Sequence, residues 1–338
     1  MKLNLYEIRL CRKEEYGKLI NFIHDYWSEG HIFCRSREIF EFQHGKGEWG
    51  VYDFVIAVHK QTEEIHAVLG FITSSRYDKR SMEEPQAIYG ALWKVRDDVE
   101  NKEVRKLGLG VLYDLLKRYP KSSYITLGLS RYSQQIYQSI HFNFGLMEHY
   151  YMANQQIKDF RIAYAPVIRK DMVKRNDVTI VRLKDIPEIH NDLFPSKNRQ
   201  YLLNRYVDHL VYQYELLGIY VKGIIKCIWV VRKITVGERK CLRLVDMVGR
   251  LDGLDGMAGN VQELLVMYDA EYIDCYNHGI EKACFLDAGF LEKTGDTIIP
   301  NYFEPFERKN VDIHYAYDGK QQVVIFKGDG DQDRPNRI

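Results

Sequence analysis

Six consecutive residues, Arg105-Lys106-Leu107-Gly108-Leu109-Gly110, set two cations beside two closely spaced glycines where a helical pattern opens. Glycine lets backbone N–H groups approach a ligand closely, and a helix N-terminus adds a partial positive charge. That combination suits a pyrophosphate. It is not a Walker loop, because no Gly-Lys-Ser/Thr follows. It is a poor dinucleotide fingerprint as well, since the strand patterns before it run as a meander and do not open a βαβ unit. The competing reading is a glycine-bearing helix start packed tightly on a sheet.

The elements that must position this segment can be read from periodicity. A short strand over Tyr6 to Arg9 precedes an amphipathic helix from about Glu14 to Trp27, with Tyr16, Leu19, Ile20, Ile23 and Trp27 on one stripe. After an irregular stretch from His31 to Gly50, strand-like runs follow at Tyr52 to His59, Ala67 to Thr73 and Ala87 to Val95. A helix is predicted over Glu103 to Arg118, stopping at Pro120. Tyr124 to Leu129 reads as a strand, Ser133 to Ser139 as a short helix and Gly145 to Met152 as a strand. The charged, apolar-poor stretch from Pro166 to Asp177 marks a domain boundary, and the order then repeats. Val178 to Leu183, Leu217 to Thr235, Lys240 to Val248, Tyr272 to Tyr276 and Phe290 onward read as strands. Helices are predicted at Asp185 to Phe194, Gly259 to Tyr268 and Gly279 to Asp287. A final hairpin is expected, Asp312 to Tyr317 with Gln321 to Lys327, turning at Asp318-Gly319. The expected fold is α/β (α+β), two similar domains at 1–165 and 166–338, each a mixed, mostly antiparallel sheet flanked by helices.

The totals fit that organisation. A chain of 338 residues suits two domains, and 48 Lys+Arg against 47 Asp+Glu give a net charge of +1. Binding nucleic acid through bulk positive charge is therefore not expected. No apolar run approaches the ~20 residues of a spanning helix, and the N-terminus lacks a signal-like run, so no membrane partner and a cytoplasmic location are expected. The six cysteines are scattered, with no Cys-x-x-Cys pair, which reads as reduced thiols and no metal.

The Arg-x-x-Gly-x-Gly segment after the fourth strand of a meander resembles the acetyl-CoA loop of the GNAT superfamily of acyltransferases. The element Ser133-Gln134-Gln135-Ile136-Tyr137-Gln138-Ser139-Ile140-His141-Phe142-Asn143-Phe144-Gly145 is similar to that superfamily's closing motif, with His141 where glycine is common. The resemblance covers Tyr6 to Met152. It implies acyl-CoA as co-substrate, with the pantetheine arm along Trp93, Lys94 and Val95 and the pyrophosphate on Arg105, Lys106, Leu107, Gly108, Leu109 and Gly110. It further implies Tyr137 near the thioester sulfur as an acid, and a backbone N–H near Val95 polarising the acyl carbonyl. Glu281 to Phe290 is similar to the closing motif again, with its Gly289-Phe290 intact. The matching second loop, Gly249 to Met257, carries Asp252 and Asp255, which would repel a pyrophosphate. The second domain is thus expected to have the fold without the co-substrate.

The whole arrangement resembles the bilobal sugar N-acyltransferases, which implies as partner a dTDP- or UDP-linked amino deoxysugar of bacterial surface polysaccharide synthesis. Its amine must lose a proton before attack. Asp246 ends an apolar strand pattern and either serves that amine or forms an internal pair with Arg243 or Arg250. His44, Trp49, Trp93 and Lys94 are candidates to line the cleft, and the resemblance implies Arg243 as a further acceptor-binding residue. In the tail, Asp329, Asp331 and Asp333 lack an EF-hand frame, so sugar hydroxyls or solvent are their expected partners, while Arg334 suits a diphosphate. No Ser/His/Asp or Cys/His set argues for a covalent acyl-enzyme, so direct attack in a ternary complex is expected. Two rivals stand beside this reading. One is an aminoacyl-tRNA-dependent peptidoglycan transferase, and the other a non-catalytic acyl-CoA-binding module.

Overall fold

Runs of β-branched and aromatic residues in this chain are too apolar to face water on either side, and they form the centres of two sheets. A computed structural model describes residues 3–45, 50–78, 84–170 and 172–336. The first half supplies β1 (Tyr6–Arg12), β2 (Val51–His59), β3 (Ile65–Thr73), β4 (Ala87–Val95), β5 (Ser123–Leu127), β6 (Asn143–Leu146) and β7 (Glu148–Ala153). The second half supplies β8 (Val178–Arg182), β9 (Tyr214–Val221), β10 (Ile224–Val236), β11 (Arg239–Gly249), β12 (Ala270–His278) and β13 (Leu291–Glu292). The small β14 (Tyr302–Phe303) and β15 (Phe306–Glu307) pair with each other, and β16 (His314–Tyr317) and β17 (Ile325–Phe326) complete the set. The helices are α1 (Tyr16–Tyr26), α2 (Ile32–Arg35), α3 (Arg37–His44), α4 (Ser75–Asp78), α5 (Val104–Arg118), α6 (Arg131–Ser139), α7 (Arg199–Leu202), α8 (Ala258–Met267) and α9 (Lys282–Asp287).

The two sheets have the same plan. The first runs β1-β2-β3-β4-β5-β16-β6 and the second β8-β9-β10-β11-β12-β7-β13. Each is an antiparallel meander of four strands followed by one parallel step, β4 to β5 and β11 to β12. Each is also completed by a strand from the other half of the chain. β7 pairs with β12 in the second sheet, and β16 inserts between β5 and β6 in the first. A cut at 165/166 therefore separates two strands from the sheets in which they pair.

Apolar clusters fill both faces of the first sheet. Leu107, Val111, Leu112 and Leu115 of α5 pack with Leu69 and Phe71 on one side, and Leu19, Phe22 and Ile23 of α1 pack with Phe54 and Ile56 on the other. A further cluster joins the two halves, setting Tyr89, Ile125 and Leu127 with Ile228, Val230, Val245 and Tyr276. No helix among the described residues is long and apolar enough to cross a membrane.

Three expectations are corrected. Residues 185–194 form no helix. Asn191 Oδ1 accepts from Leu193 N–H in a local turn, and Pro195 holds the residue before it out of the helical region. The expected terminal hairpin is also absent. β16 pairs with β5 and β6 whereas β17 pairs with β12, because each sheet offers an open edge that outcompetes a local two-strand pairing. The irregular stretch before β2 contains α2 and α3, capped by His31 and by Ser36, whose hydroxyl accepts from Ile39 N–H.

Candidate active site between the two sheets

The first sheet opens where β4 and β5 part. Their parallel pairing runs only from Ala87↔Ser123 to Gly90↔Thr126. Immediately beyond, β4 bulges. Gly90 lies opposite Phe71 and Trp93 opposite Leu69, so Ala91 and Leu92 together face Gly70. Gly90 is required here, since a Cβ would lie 2.1 Å from the Tyr124 hydroxyl. Ala91 and Leu92 on one strand and Leu127, Gly128 and Leu129 on the other then form one wall of a cleft of about 460 Å³. The facing wall comes from the second half of the chain: Tyr212, Arg232, Asn301 to Glu304, Lys327, Asp331 to Arg334 and Asn336. Trp27, at the end of α1, sits half-exposed at its side.

Behind the parting stands a ring of aromatic residues. The hydroxyls of Tyr124 and Tyr137 lie 2.8 Å apart, both buried. Burial, reinforced by Tyr124, pushes the Tyr137 phenol well above its ordinary value, so it holds its proton. Trp93 lies with its ring 5.5 Å from that of Tyr137, and its buried Nε1 donor makes no hydrogen bond among the described residues. Tyr137 and Trp93 thus sit on the helix side of the opening and do not line the cleft.

The segment Arg105 to Gly110 is the first two turns of α5, not a loop before it. Gly108 packs against β4, where a Cβ would meet Val95 at 3.4 Å and Trp93 at 3.6 Å. Asn101 Oδ1 accepts from Glu103 and Val104 N–H, and Glu103 O accepts from Lys106 N–H. The glycine amides serve the helix ladder, and an anion here would rely on the exposed Arg105 and Lys106 side chains. Nearby carboxylates are turned to other duties. Asp97 pairs with Lys94, Asp98 with Arg96, and Glu103 accepts from the N–H groups of Asn4 and Leu5. Val95 itself pairs with Ala67 inside the ladder, away from the cleft.

Several predicted acceptor residues lie elsewhere. His44 is fully buried among Phe33, Phe40 and Phe54, with Nδ1 at 2.9 Å from Phe71 O, and burial pushes it down to about 3. It is a core residue. Trp49 falls outside the described residues. Arg243 is fully buried and held by Asp274 at 2.7 Å and by the carbonyls of Pro300 and Asn301, leaving nothing for a ligand. Asp246 does not pair with Arg243 or Arg250. Its partners are Lys197 at 2.6 Å, the Tyr206 hydroxyl at 2.5 Å and its neighbour's N–H from Met247. Asp329 joins the same cluster, 2.9 Å from Lys197. Burial holds the Asp246 carboxyl above the usual range in spite of Lys197, and neither aspartate lines the cleft. Of the predicted acceptor set Asp331, Asp333 and Arg334 reach it, Arg334 paired with Asp331 and Asp333 with Arg232.

The second sheet shows how the equivalent opening is closed. β11 and β12 part after Leu244↔Cys275. The chain's own tail fills that gap. β17 pairs with Asn277 and His278 of β12, and Gly328 N–H donates to Val245 O of β11 at 2.7 Å. Gly328 allows this approach, because a Cβ would sit 2.7 Å from that same carbonyl oxygen.

Arg232, Lys327 and Tyr212 were missed from sequence. Arg232 interrupts the most apolar strand of the chain, and its buried charge gives the same signal that singled out Asp246. It lies 3.3 Å from Asp333 and stacks over Tyr212 at 4.0 Å. Lys327 follows β17, and its sequence surroundings carry no such mark.

No protein-family model matches the sequence, and no curated protein matches it. Solved structures do match in fold. A GCN5-related N-acetyltransferase from Anabaena variabilis superposes with a TM-score of 0.52 at 8% identity, over 92% of this chain and 72% of that one. A conserved protein of unknown function from Enterococcus faecalis, described as a probable N-acyltransferase, gives 0.52 at 11% identity over 85% and 70%. At such identities the likeness is one of fold.

Proposed function

We propose that the chain is an acyl-CoA-dependent N-acyltransferase whose acceptor is the amine of a nucleotide-linked (dTDP- or UDP-) amino deoxysugar. The observation that carries this reading is the parting of β4 and β5 at a bulge, opening directly into a cleft walled by the other half of the chain. The pantetheine arm of acyl-CoA lies in that opening. Trp93 Nε1 is an orphaned donor at its helix side, and Arg105 and Lys106 stand at the start of α5 for the pyrophosphate. A bulge leaves one residue without a ladder partner, so a backbone N–H at Ala91 or Leu92 is the donor for the acyl carbonyl as charge develops on it. Tyr137, through Tyr124, keeps a phenolic proton close behind.

The acceptor enters from the other wall. Tyr212, Tyr302, Phe303 and Trp27 offer flat apolar faces for a sugar or base, and Arg232 and Arg334 offer guanidinium groups for a diphosphate. The amine attacks the thioester directly. The test is thiol release from acetyl-CoA against a panel of nucleotide-linked amino sugars, free amino acids and polyamines. Release with the nucleotide sugars alone supports the reading. Release with another amine class, or with none, refutes the acceptor assignment.

A further inference from the structure

Two lysines are buried in the second half of the chain, and their surroundings are opposite. Lys197 is held by two carboxylates, Asp246 at 2.6 Å and Asp329 at 2.9 Å. Burial alone would pull its pKa down, and those charges more than offset it, so it stays raised. Lys327 is equally buried but forms no ion pair among the described residues. The carboxylates nearest it are already taken. Asp333, in the tail, is engaged by Arg232 of β10 and by the Tyr214 hydroxyl, and Asp274 of β12 is engaged by Arg243 of β11 and by His149. Among the described residues it donates one hydrogen bond, to Gln332 O at 3.2 Å, and an ammonium has three donors to satisfy.

Position makes this group more than a packing defect. Lys327 lines the cleft. Gln332, whose carbonyl receives the Lys327 amine, turns its side chain onto the other wall, where Nε2 donates to Leu127 O at 3.4 Å. Leu127 is the last residue of β5, just past the point where β5 leaves β4. Lys327 is thus linked through Gln332 to the strand end that borders the opening.

We infer that Lys327 is the base that deprotonates the acceptor amine, an inference that rests on the function proposed above. The acceptor arrives as an ammonium and gives one proton to the neutral Lys327 amine, which passes it to solvent. The freed nitrogen forms its bond to the acyl carbon, the C–S bond breaks, and the second nitrogen proton goes to the departing thiolate. Burial, with Arg243 and Arg232 opposing it, pushes Lys327 down to about 7, so the amine is free to accept a proton in the neutral range.

The experiment compares wild type, Lys327→Met and Lys327→Arg, with acetyl-CoA and an unacylated nucleotide-linked amino sugar as substrates. The readouts are kcat against pH and acetyl-CoA affinity by calorimetry. Wild-type kcat should climb about tenfold per unit below about pH 7 and then level. Both variants should lose on the order of 10²-fold or more, without that limb, while binding acetyl-CoA as wild type does. A Lys327→Met enzyme within about threefold of wild type, or one keeping the limb, overturns the assignment of the base and leaves the functional reading standing. A wild type that neither binds acetyl-CoA nor releases thiol overturns the functional reading and this inference together.

Discussion

Replacing Lys197 with methionine should cost the fold more than it costs any ligand site. Lys197, Asp246 and Asp329 are all at most 5% exposed in their side chains, and the ammonium sits 2.6 and 2.9 Å from the two carboxylates. Methionine follows the same path through the core, so the loss is electrostatic and leaves little cavity. Two carboxylates would remain buried with only Tyr206 and backbone donors to hold them. Breaking a buried pair from one side costs about 3–5 kcal/mol. For a chain of this size that is a fall in Tm of roughly 4–7 °C. The pH dependence has a definite sign. The Asp246 carboxyl is already raised in the folded state, and losing the cation raises it further. The folded variant then binds a proton that the unfolded chain releases above about pH 4, so its stability falls as pH rises through the folded pKa. Urea denaturation at about pH 5 and about pH 8 should show the larger deficit at the higher pH. A loss under about 1 kcal/mol, or an equal loss at both pH values, would refute the reading of this cluster as a charge-paired core and return Asp246 to candidacy as a base.

Two further outcomes follow from the geometry. His141 holds φ of 60° where L side chains are strained, so His141→Gly should stabilise the protein by about 1 kcal/mol in urea denaturation; destabilisation would mean its side chain makes a contact worth more than that strain. Lys327 is depressed from 10.5 to about 7 in the fold, so between those values the unfolded chain holds a proton that the folded one lacks, and stability gains with rising pH. Lys327→Met removes that slope. It should out-stabilise wild type at about pH 7 and lose the advantage by about pH 10, and a difference constant with pH would contradict the burial argument.

Much of the architecture was legible because strong local patterns and tertiary packing agree there. β2 to β4, α5 and α8 lie close to where periodicity placed them, and the repeated order of elements reappears as one strand order in both sheets. What escaped was decided by partners far away in sequence. The Asp318-Gly319 turn signal is real chemistry, but the strands flanking it were claimed by different sheets. His141 shows the reverse: it holds a left-handed backbone, which glycine adopts most readily, so the turn forms there without one. In the site, Asp246 was rightly marked as a charge needing a partner, but that partner lies 49 residues away and outside any local pattern. Arg243, an expected acceptor residue and possible partner of Asp246, is used up by Asp274. On the tail Asp331, Asp333 and Arg334 were named, but Lys327 escaped, because the tail's course between the sheets depends on β11 and β12 having parted.

The central claim is that acyl-CoA occupies the opening between β4 and β5 beside α5. Calorimetric titration of wild type and Gly108→Asp with acetyl-CoA tests it most directly. An aspartate Cβ at Gly108 meets only ordinary contacts at 3.4 Å or more, so the variant should fold, while its carboxylate would stand between Trp93, Val95 and the path of the pyrophosphate. Binding by wild type and loss of binding by a folded variant is the result expected. No binding by wild type, or equal binding by both, would contradict the placement of the co-substrate.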